Sequence, residues 1–352
     1  MTNVMTRCRQ PFAMKALGLV SAARACGIFI GVGLMTVTEI GAAERLVVYS
    51  GRGERFTRPI IEAFEASTGI ETLSLVGQSG QLLTRIEEEG ERTEADVFLT
   101  NYAGHLEQAR LRGLLLPYRS QHASQIADIY RGPADAWSGA SVRARTIIYN
   151  KNLADPARLQ SMMDLADPQW ADRLGITVSS NASFIGGLAA MIQQRGFETT
   201  RAFLRGIKRN AGDRIYPKHT PLVSAVARGE VAVGLINQYY YYRAVAGNPD
   251  LPIGIIYPDQ STHGAPVTIA GLAILRHAKN PAAARKFLDF VLSIQGQKLF
   301  AEINYEFPVR RDVPAHPLLP MAGSIRLSPV SQTLQVETID QAIELIRDVG
   351  LQ

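Results

Sequence analysis

The residues that could carry out chemistry in this 352-residue chain are few and unevenly placed. Both cysteines, Cys8 and Cys26, lie near the amino terminus, which excludes a disulfide, a thiolate metal site and a cysteine nucleophile from the rest of the chain. None of the six histidines forms a pair at the His-x-x-x-His spacing of a zinc helix. Because the chain also lacks a Gly-x-Ser-x-Gly elbow and a Gly-Lys-Ser/Thr phosphate loop, the sequence argues against an enzyme.

Two segments hold polar groups of a kind that can bind ligands. A run of four tyrosines, residues 239–242, follows a strand pattern at 231–236. Taken alone, such a run favours an aromatic packing patch. Residues 180–183, Ser-Asn-Ala-Ser, stand where a helix is expected to begin. The free N–H groups and the helix dipole there favour an anion, although helix capping is the commoner use of these residue types.

The composition, with 46% hydrophobic and 20% charged residues, is that of a globular protein. The length predicts two domains of roughly 150 residues each, and no interior apolar run reaches the roughly 18 residues of a membrane-spanning helix. Beyond position 43, 33 basic residues stand against 31 acidic ones, without a basic block. Nucleic acid is therefore not an expected partner, because its binding depends on clustered phosphate contacts.

Residues 1–43 have the features of a cleavable signal peptide. The segment starts basic, carries an apolar stretch over 26–37 and ends in Gly41-Ala42-Ala43. About 12 apolar residues are too few to span a bilayer, so we favour a signal cleaved after Ala43 over a membrane anchor. We therefore expect a periplasmic protein.

Beyond Glu44, strand patterns alternate with helical ones, as in parallel βαβ units. Strands are predicted at 46–50, 71–76, 95–100, 144–149, 176–180, 231–236 and 265–275, and helices at 54–67, 81–89, 184–194, 199–209, 281–301 and 338–350. The fourth and seventh of these strands could cross between two lobes. We predict an α/β protein in which residues 44–145 and 272–352 form a first lobe, residues 146–271 form a second, and a ligand cleft between them closes on its ligand.

Nine short segments in a fixed order link the chain to a known family. They are residues 46–54, 64–70, 87–90, 95–98, 149–150, 236–243, 270–271, 305–308 and 338–351. Together they resemble the periplasmic ferric-ion-binding proteins of ABC transporters. The resemblance implies a two-lobe periplasmic-binding-protein fold with two crossing strands. It also implies a monomeric receptor, not an enzyme, that delivers Fe(III) to an inner-membrane ABC permease and its ATPase.

The family's hallmark is a pair of adjacent tyrosines, which falls here on Tyr239 and Tyr240, two positions after Asn237. The resemblance implies that both phenolate oxygens bind Fe(III). Fe(III) is a hard cation that prefers anionic oxygen, and its binding can displace a phenol proton that ordinarily leaves near pH 10. Tyr241 and Tyr242 are then expected to serve in packing or in the hinge.

The chain departs from the family at the positions of the other protein ligands. Where some members carry a histidine, an acid or a third tyrosine, this chain has Arg-Gly-Glu at 52–54, Gly80, and Asn-Ala-Ser at 181–183. Two tyrosinates cannot fill a six-coordinate shell, so a bound anion, water, a chelator or another residue must complete it. The anion fits the chain, and in the family it is a synergistic anion such as carbonate or phosphate. The residues proposed to contact this anion are Arg52, Gln81, Asn181, Ala182, Ser183, His219 and Asn237.

Tyr102 and Glu54 are the candidates for additional metal ligands, because both follow strand ends that should face the cleft. For each of them, a surface or supporting position is the commoner outcome. His105, one turn into a helix, is expected to face solvent.

Two other ligands remain open at this point. A receptor of the same fold for an organic phosphate or phosphonate would suit an anion site without extra metal ligands. An intact ferric chelate would bring its own oxygen ligands. The adjacent tyrosines favour the metal.

Overall fold

The computed structural model describes residues 45–321, 323–328 and 332–351. The signal peptide predicted at 1–43 lies outside these residues and stays a prediction. Among the helices of the described segments, none is both long and apolar enough to cross a membrane.

Strands and helices alternate along most of the chain, as the sequence predicts. The strands are β1 (Arg45–Ser50), β2 (Glu71–Val76), β3 (Val97–Thr100), β4 (Leu115–Leu116), β5 (Ser138–Asn150), β6 (Leu174–Thr177), β7 (Ile215–Tyr216), β8 (Val233–Asn237), β9 (Ile253–Ile256), β10 (Ala265–Leu275), β11 (Phe307–Pro308) and β12 (Leu327–Ser328). The helices are α1 (Glu54–Thr68), α2 (Ser79–Glu89), α3 (Ala103–Leu111), α4 (Ala182–Arg195), α5 (Phe197–Ala211), α6 (His219–Arg228), α7 (Gln238–Gly247), α8 (Pro281–Leu292), α9 (Ile294–Asn304) and α10 (Gln332–Val349).

Two long antiparallel strands, β5 and β10, join the strands of the two lobes. The strand order is β2-β1-β3-β10-β5-β8-β6-β7. One end of β10, Gly271 to Ile274, pairs with β3, and the far end of β5, Arg145 to Tyr149, pairs with β8. Strand β1 is parallel to β2 and β3, and β6 is parallel to β8, so both lobes contain the predicted βαβ units. The predicted crossing strands are therefore confirmed.

The first lobe is held together by α1, α8 and α9. Apolar side chains recur along α1 at helical spacing, and Ile60, Ile61 and Phe64 are buried. Gly69 ends the helix in the left-handed conformation (φ 72°), which glycine adopts without strain. The ring of Phe64 meets the edge of Phe287 on α8 with 5.1 Å between ring centroids. Full burial of such a side chain contributes about 1.5–3 kcal/mol, so this contact stabilises the packing of α1 against α8.

Helix α10 differs from its predicted position on the first lobe. Its buried side chains Ile339, Ala342, Leu345 and Ile346 belong to the second lobe's apolar cluster, with Phe184, Leu188, Phe203 and Leu204 of α4 and α5. The sequence predicts that α10 is amphipathic, but it does not indicate whether the apolar face of the helix will cover the first lobe or the second. The lobe boundaries themselves stay a prediction.

Candidate functional site

A cavity of about 270 Å³ lies where loops of both lobes meet. Most of its wall follows the carboxyl ends of β1, β2, β3, β6, β7 and β8, which is where open α/β sheets bind ligands. The lining residues are Arg52, Phe56, Gln78, Asn101, Arg143, Val178, Ser180, Asn181, Ala182, Ser183, Pro217, Lys218, His219, Tyr239 and Tyr240. We refer to this space as the ion cavity.

Tyr239 and Tyr240 converge in the ion cavity although they are neighbours in the chain. Strand β8 ends at Asn237, whose backbone is extended (φ −87°, ψ 143°), and α7 begins at the next residue. The tyrosines therefore occupy the second and third positions of the helix, beside the strand end. Their ring centroids lie 4.3 Å apart with 34° between the ring planes. Both phenols line the same space, as two ligands of one ion must.

Neighbouring side chains hold the two tyrosine rings in place. The edge of Phe56 meets Tyr239 with 5.8 Å between centroids. The guanidinium of Arg243 lies 4.5 Å from the ring centroid of Phe56 and 5.6 Å from that of Tyr239. A cation is attracted to the negative face of an aromatic ring, so Arg243 links both rings. His219 packs on the other ring, 4.7 Å from the centroid of Tyr240.

Asn237 connects the tyrosine turn to the start of α4. Its side-chain nitrogen donates to the hydroxyl of Ser183 at 3.0 Å, and its side-chain oxygen accepts from Nη1 of Arg145 at 3.1 Å. The side-chain oxygen of Asn181 accepts from the backbone N–H of Ser183 at 3.0 Å, so Asn181 caps α4. Helix capping is thus one role of this segment, and the first turn of α4 forms part of the cavity wall.

A buried ion pair supports the first-lobe wall of the ion cavity. Nη2 of Arg52 donates to both carboxylate oxygens of Glu306, at 2.8 and 3.0 Å, and each side chain is 1% exposed. The hydroxyl of Ser141 donates to the same carboxylate. Because Glu306 neutralises Arg52, this pair adds no net charge to the cavity.

Arg143 and Arg145 bring two further positive charges under the tyrosines from the crossing strand β5. Both side chains are buried. Nη1 of Arg143 donates to the side-chain oxygen of Asn101 at 3.1 Å, and Nη2 donates to its backbone oxygen. Burial lowers the pKa of Arg145 to about 10, and burial also lowers the pKa of Arg143, to which Arg52 adds. Both arginines remain protonated at neutral pH, and each favours a tyrosinate or another anion beside it.

Several buried nitrogens around the cavity have no hydrogen-bond partner among the described residues. They are Nε and Nη1 of Arg52, Nε of Arg143, Nη2 of Arg145 and both ring nitrogens of His219. A buried donor left unpaired costs about 1–3 kcal/mol, and a charged donor costs more. Burial lowers the pKa of His219 well below its usual value, as do Arg145 and Arg143, so its ring is neutral and one nitrogen can accept. This set of donors matches an oxyanion.

The ion cavity offers a metal ion only the two phenol oxygens as anionic protein ligands. None of its lining residues is an Asp or Glu. In the described part of the chain, no group of three or more His, Cys, Asp or Glu side chains is placed to hold a metal ion. A hard cation bound here would need oxygen ligands that it brings with it.

The structure brings most of the predicted site residues together. Arg52, Asn181, Ala182, Ser183, His219, Tyr239 and Tyr240 all line the ion cavity, and Asn237 contacts it through Ser183. Gln81 does not line the ion cavity but a neighbouring one. Gln78, three residues earlier, lines both cavities.

Tyr102 and Glu54 do not line the ion cavity. The ring of Tyr102 is buried beside Gly104 and Gly186 and lines the neighbouring cavity instead. Glu54 is exposed and forms an ion pair with Arg58 on α1. His105 also differs from the prediction: burial lowers its pKa to about 4, since the side chain faces a cavity and not open solvent.

Sequence analysis missed the basic residues Arg143 and Lys218 and the amides Asn101 and Gln78. The sequence did contain a signal for Arg143. Arg143 and Arg145 are spaced by two within an otherwise uncharged strand, which puts both side chains on one face of it. Charges rarely lie in a buried strand without a partner or ligand. No such pattern distinguishes Lys218, Asn101 or Gln78.

Comparison with known proteins identifies the class to which this fold and site belong. Residues 46–305 match the family of bacterial extracellular solute-binding proteins, and the chain belongs to that family. It is therefore a solute-binding transport protein and not an enzyme. Among curated relatives, it is 30% identical to iron uptake protein A1 of Synechocystis, over 88% of each chain.

Solved structures agree with this assignment. The chain is 32% identical to iron-bound HitA from Pseudomonas aeruginosa, with a TM-score of 0.81 over 87% of this chain and 99% of that one. It is 31% identical to a Trichodesmium protein in complex with iron and citrate, with a TM-score of 0.75 over 88% of this chain and 100% of that one. Both comparisons confirm the predicted two-lobe fold.

Proposed function

We propose that this chain binds Fe(III) through the phenolate oxygens of Tyr239 and Tyr240, together with an anion that completes the metal's coordination. The convergence of the two phenols in one cavity, with 4.3 Å between ring centroids, is the observation that carries the proposal. Fe(III) prefers anionic oxygen ligands, and tyrosinate is the anionic oxygen that the protein supplies here. The similarity to an iron uptake protein and to iron-bound structures supports the same cargo.

The charges around the cavity support the anion. An Fe(III) ion with two tyrosinates keeps one positive charge, and Arg143, Arg145 and Lys218 add three more. Neighbouring like charges repel one another, so a ferric ion without an accompanying anion would be disfavoured here. Carbonate or phosphate would accept hydrogen bonds from Arg52, His219 and the start of α4. We assign the anion to the part of the ion cavity that these groups line.

The family supports the remainder of the proposal. Solute-binding proteins of importers deliver a ligand to a membrane permease, and we propose that this chain delivers iron to an inner-membrane ABC permease powered by its ATPase. The signal peptide predicted at 1–43 would export it to the periplasm. We propose that it acts there as a monomer whose lobes close over the ion.

A visible absorption titration tests the proposed cargo. The protein lacking residues 1–43 is titrated with ferric citrate and, separately, with inorganic phosphate in the absence of metal. We expect a tyrosinate-to-iron charge-transfer band that saturates at one iron per chain. A protein that stays colourless, and that binds a phosphorylated ligand without iron, would instead be a receptor for an organic phosphate or phosphonate.

Iron binding should weaken as the pH falls. Burial and the neighbouring Tyr239 raise the pKa of Tyr240, so its phenol is protonated in the empty protein throughout the neutral range. Fe(III) must displace that proton, and two displaced phenol protons make the affinity change about 100-fold per pH unit. The measurement is the number of protons released per iron in weak buffer. Tyr240→Phe should release about one proton fewer than the unchanged protein from the same ferric stock, and an equal release would contradict the assignment.

A further inference from the structure

A second cavity, of about 430 Å³, opens beside the ion cavity. Gln78, Ser180 and Ala182 line both spaces, so the two lie next to each other. The remaining wall comes from α2, α3, α4 and α10, and consists of Ser79, Gly80, Gln81, Tyr102, His105, Ile185, Gly186, Ile339 and Ile343. We refer to this space as the side chamber.

The side chamber differs from the ion cavity in charge. Its polar lining includes Gln81 and His105, and its apolar lining includes Ile185, Ile339 and Ile343. None of its lining residues is an Asp, Glu, Lys or Arg. The chamber thus suits an uncharged group that is partly apolar, while the ion cavity suits concentrated negative charge.

Two buried polar atoms at the chamber wall lack partners among the described residues. They are the hydroxyl oxygen of Tyr102, whose side chain is 3% exposed, and Nδ1 of His105. The chamber reaches this wall because glycines face it. A Cβ at Gly186 would lie 3.0 Å from the Tyr102 ring, and a Cβ at Gly80 would meet only Nε2 of His105, at 3.7 Å. A larger side chain at position 80 would therefore enter the chamber.

We infer that the side chamber holds the organic body of the molecule that supplies the anionic oxygens, so that the cargo is a ferric chelate and not an ion with a free inorganic anion. This inference rests on the proposed function. The chelator presents anionic oxygens at one end, beside Tyr239 and Tyr240, and an uncharged, partly apolar body at the other. The body would reach the chamber past the residues that line both spaces, Gln78, Ser180 and Ala182.

Volume supports this division of the cargo. The ion cavity, at about 270 Å³, already has room for an ion and a carbonate or phosphate. Such a cargo would leave the side chamber empty of anything but water. Ligand sites usually have volumes of about 300–1,000 Å³ and are mostly apolar. The ion cavity alone is smaller than that, and the side chamber alone has no charged lining residue. The two spaces together have the usual volume and combine charged with apolar walls.

Gly80→Leu tests the inference by filling the chamber. Equilibrium dialysis measures binding of radioactive Fe(III) supplied with phosphate and, separately, as its complex with 4-propylcatechol, whose two oxygens are anionic and whose body is uncharged. We expect the variant to lose at least tenfold in affinity for the catechol complex and to change less than twofold for iron with phosphate. Ile343→Trp, which narrows the chamber from α10, should act in the same direction.

Gly247→Leu is the matched control, because this exposed glycine ends α7 and a Cβ there meets no atom within 4 Å. It should bind both probes as the unchanged protein does. Equal losses for the two probes in Gly80→Leu, or no loss for either, would overturn the side-chamber assignment while leaving iron binding intact. If the unchanged protein bound neither probe, the proposed function itself would fail, and the inference with it.

Discussion

Replacing both Tyr239 and Tyr240 by phenylalanine is expected to abolish ferric binding and the charge-transfer band. The change removes two oxygens and leaves the rings, so the packing with Phe56 and His219 is kept. Residues that merely orient metal ligands cost about 10- to 100-fold in affinity when they are changed, and these two would be the ligands themselves. We expect a loss of more than about 100-fold, measured by the same absorption titration.

Tyr241→Phe/Tyr242→Phe is the matched control for this double variant. It removes the same atoms from the next two positions of the tyrosine run. Neither residue lines the ion cavity, and the hydroxyl of Tyr242 lies 3.3 Å from that of Tyr257. The control should keep its colour and its iron affinity. A band that survived in the Tyr239→Phe/Tyr240→Phe protein would contradict the proposed ligands.

Glu306→Gln is expected to have the largest effect on stability. Glu306 and Arg52 are each 1% exposed, and the substitution leaves the charge of Arg52 buried without its counter-ion. Breaking a buried ion pair by removing one partner typically costs about 3–5 kcal/mol. We expect a loss of about 3 kcal/mol in the free energy of unfolding, measured by urea denaturation.

Glu54→Gln provides the comparison for that measurement, since it makes the same chemical change in an exposed pair with Arg58. Exposed pairs contribute little, because water solvates both charges and salt screens them. Its unfolding curve should overlay that of the unchanged protein. If Glu306→Gln unfolded at the same urea concentration as Glu54→Gln, the buried pair would not stabilise the first lobe.

Patterns that act locally in the chain predicted the fold well. The bounds of β10 match the prediction at 265–275, because an uninterrupted apolar run between a turn and a polar segment has one plausible interpretation. The position of the tyrosines after a strand also followed from sequence, since the strand pattern predicted at 231–236 ends just before Asn237. The role of these side chains came from the resemblance and not from periodicity.

Features that depend on contacts between distant residues were not predictable in this way. The middle of α10 approaches α3, where the Ile339 side chain lies 3.0 Å from a Cβ placed on Gly104, while the apolar face of the helix covers α4 and α5. Nothing in the amphipathic pattern indicates this double contact. Tyr102 was expected near a metal, but its ring packs closely against Gly186. His105 was expected in solvent, but it lines the side chamber.

The position of Arg143 and Arg145 on β5 has a consequence for how the molecule responds to its cargo. These charges lie on a strand that pairs with strands of both lobes, so like charge is concentrated on a segment that connects them. Arg52 disfavours the charged state of Arg143, and Arg143 that of Arg145. Cargo that carries negative charge relieves this repulsion where the lobes join. A negatively charged ligand at this point would therefore act on the strand that joins the two lobes, and an uncharged ligand of the same shape would not.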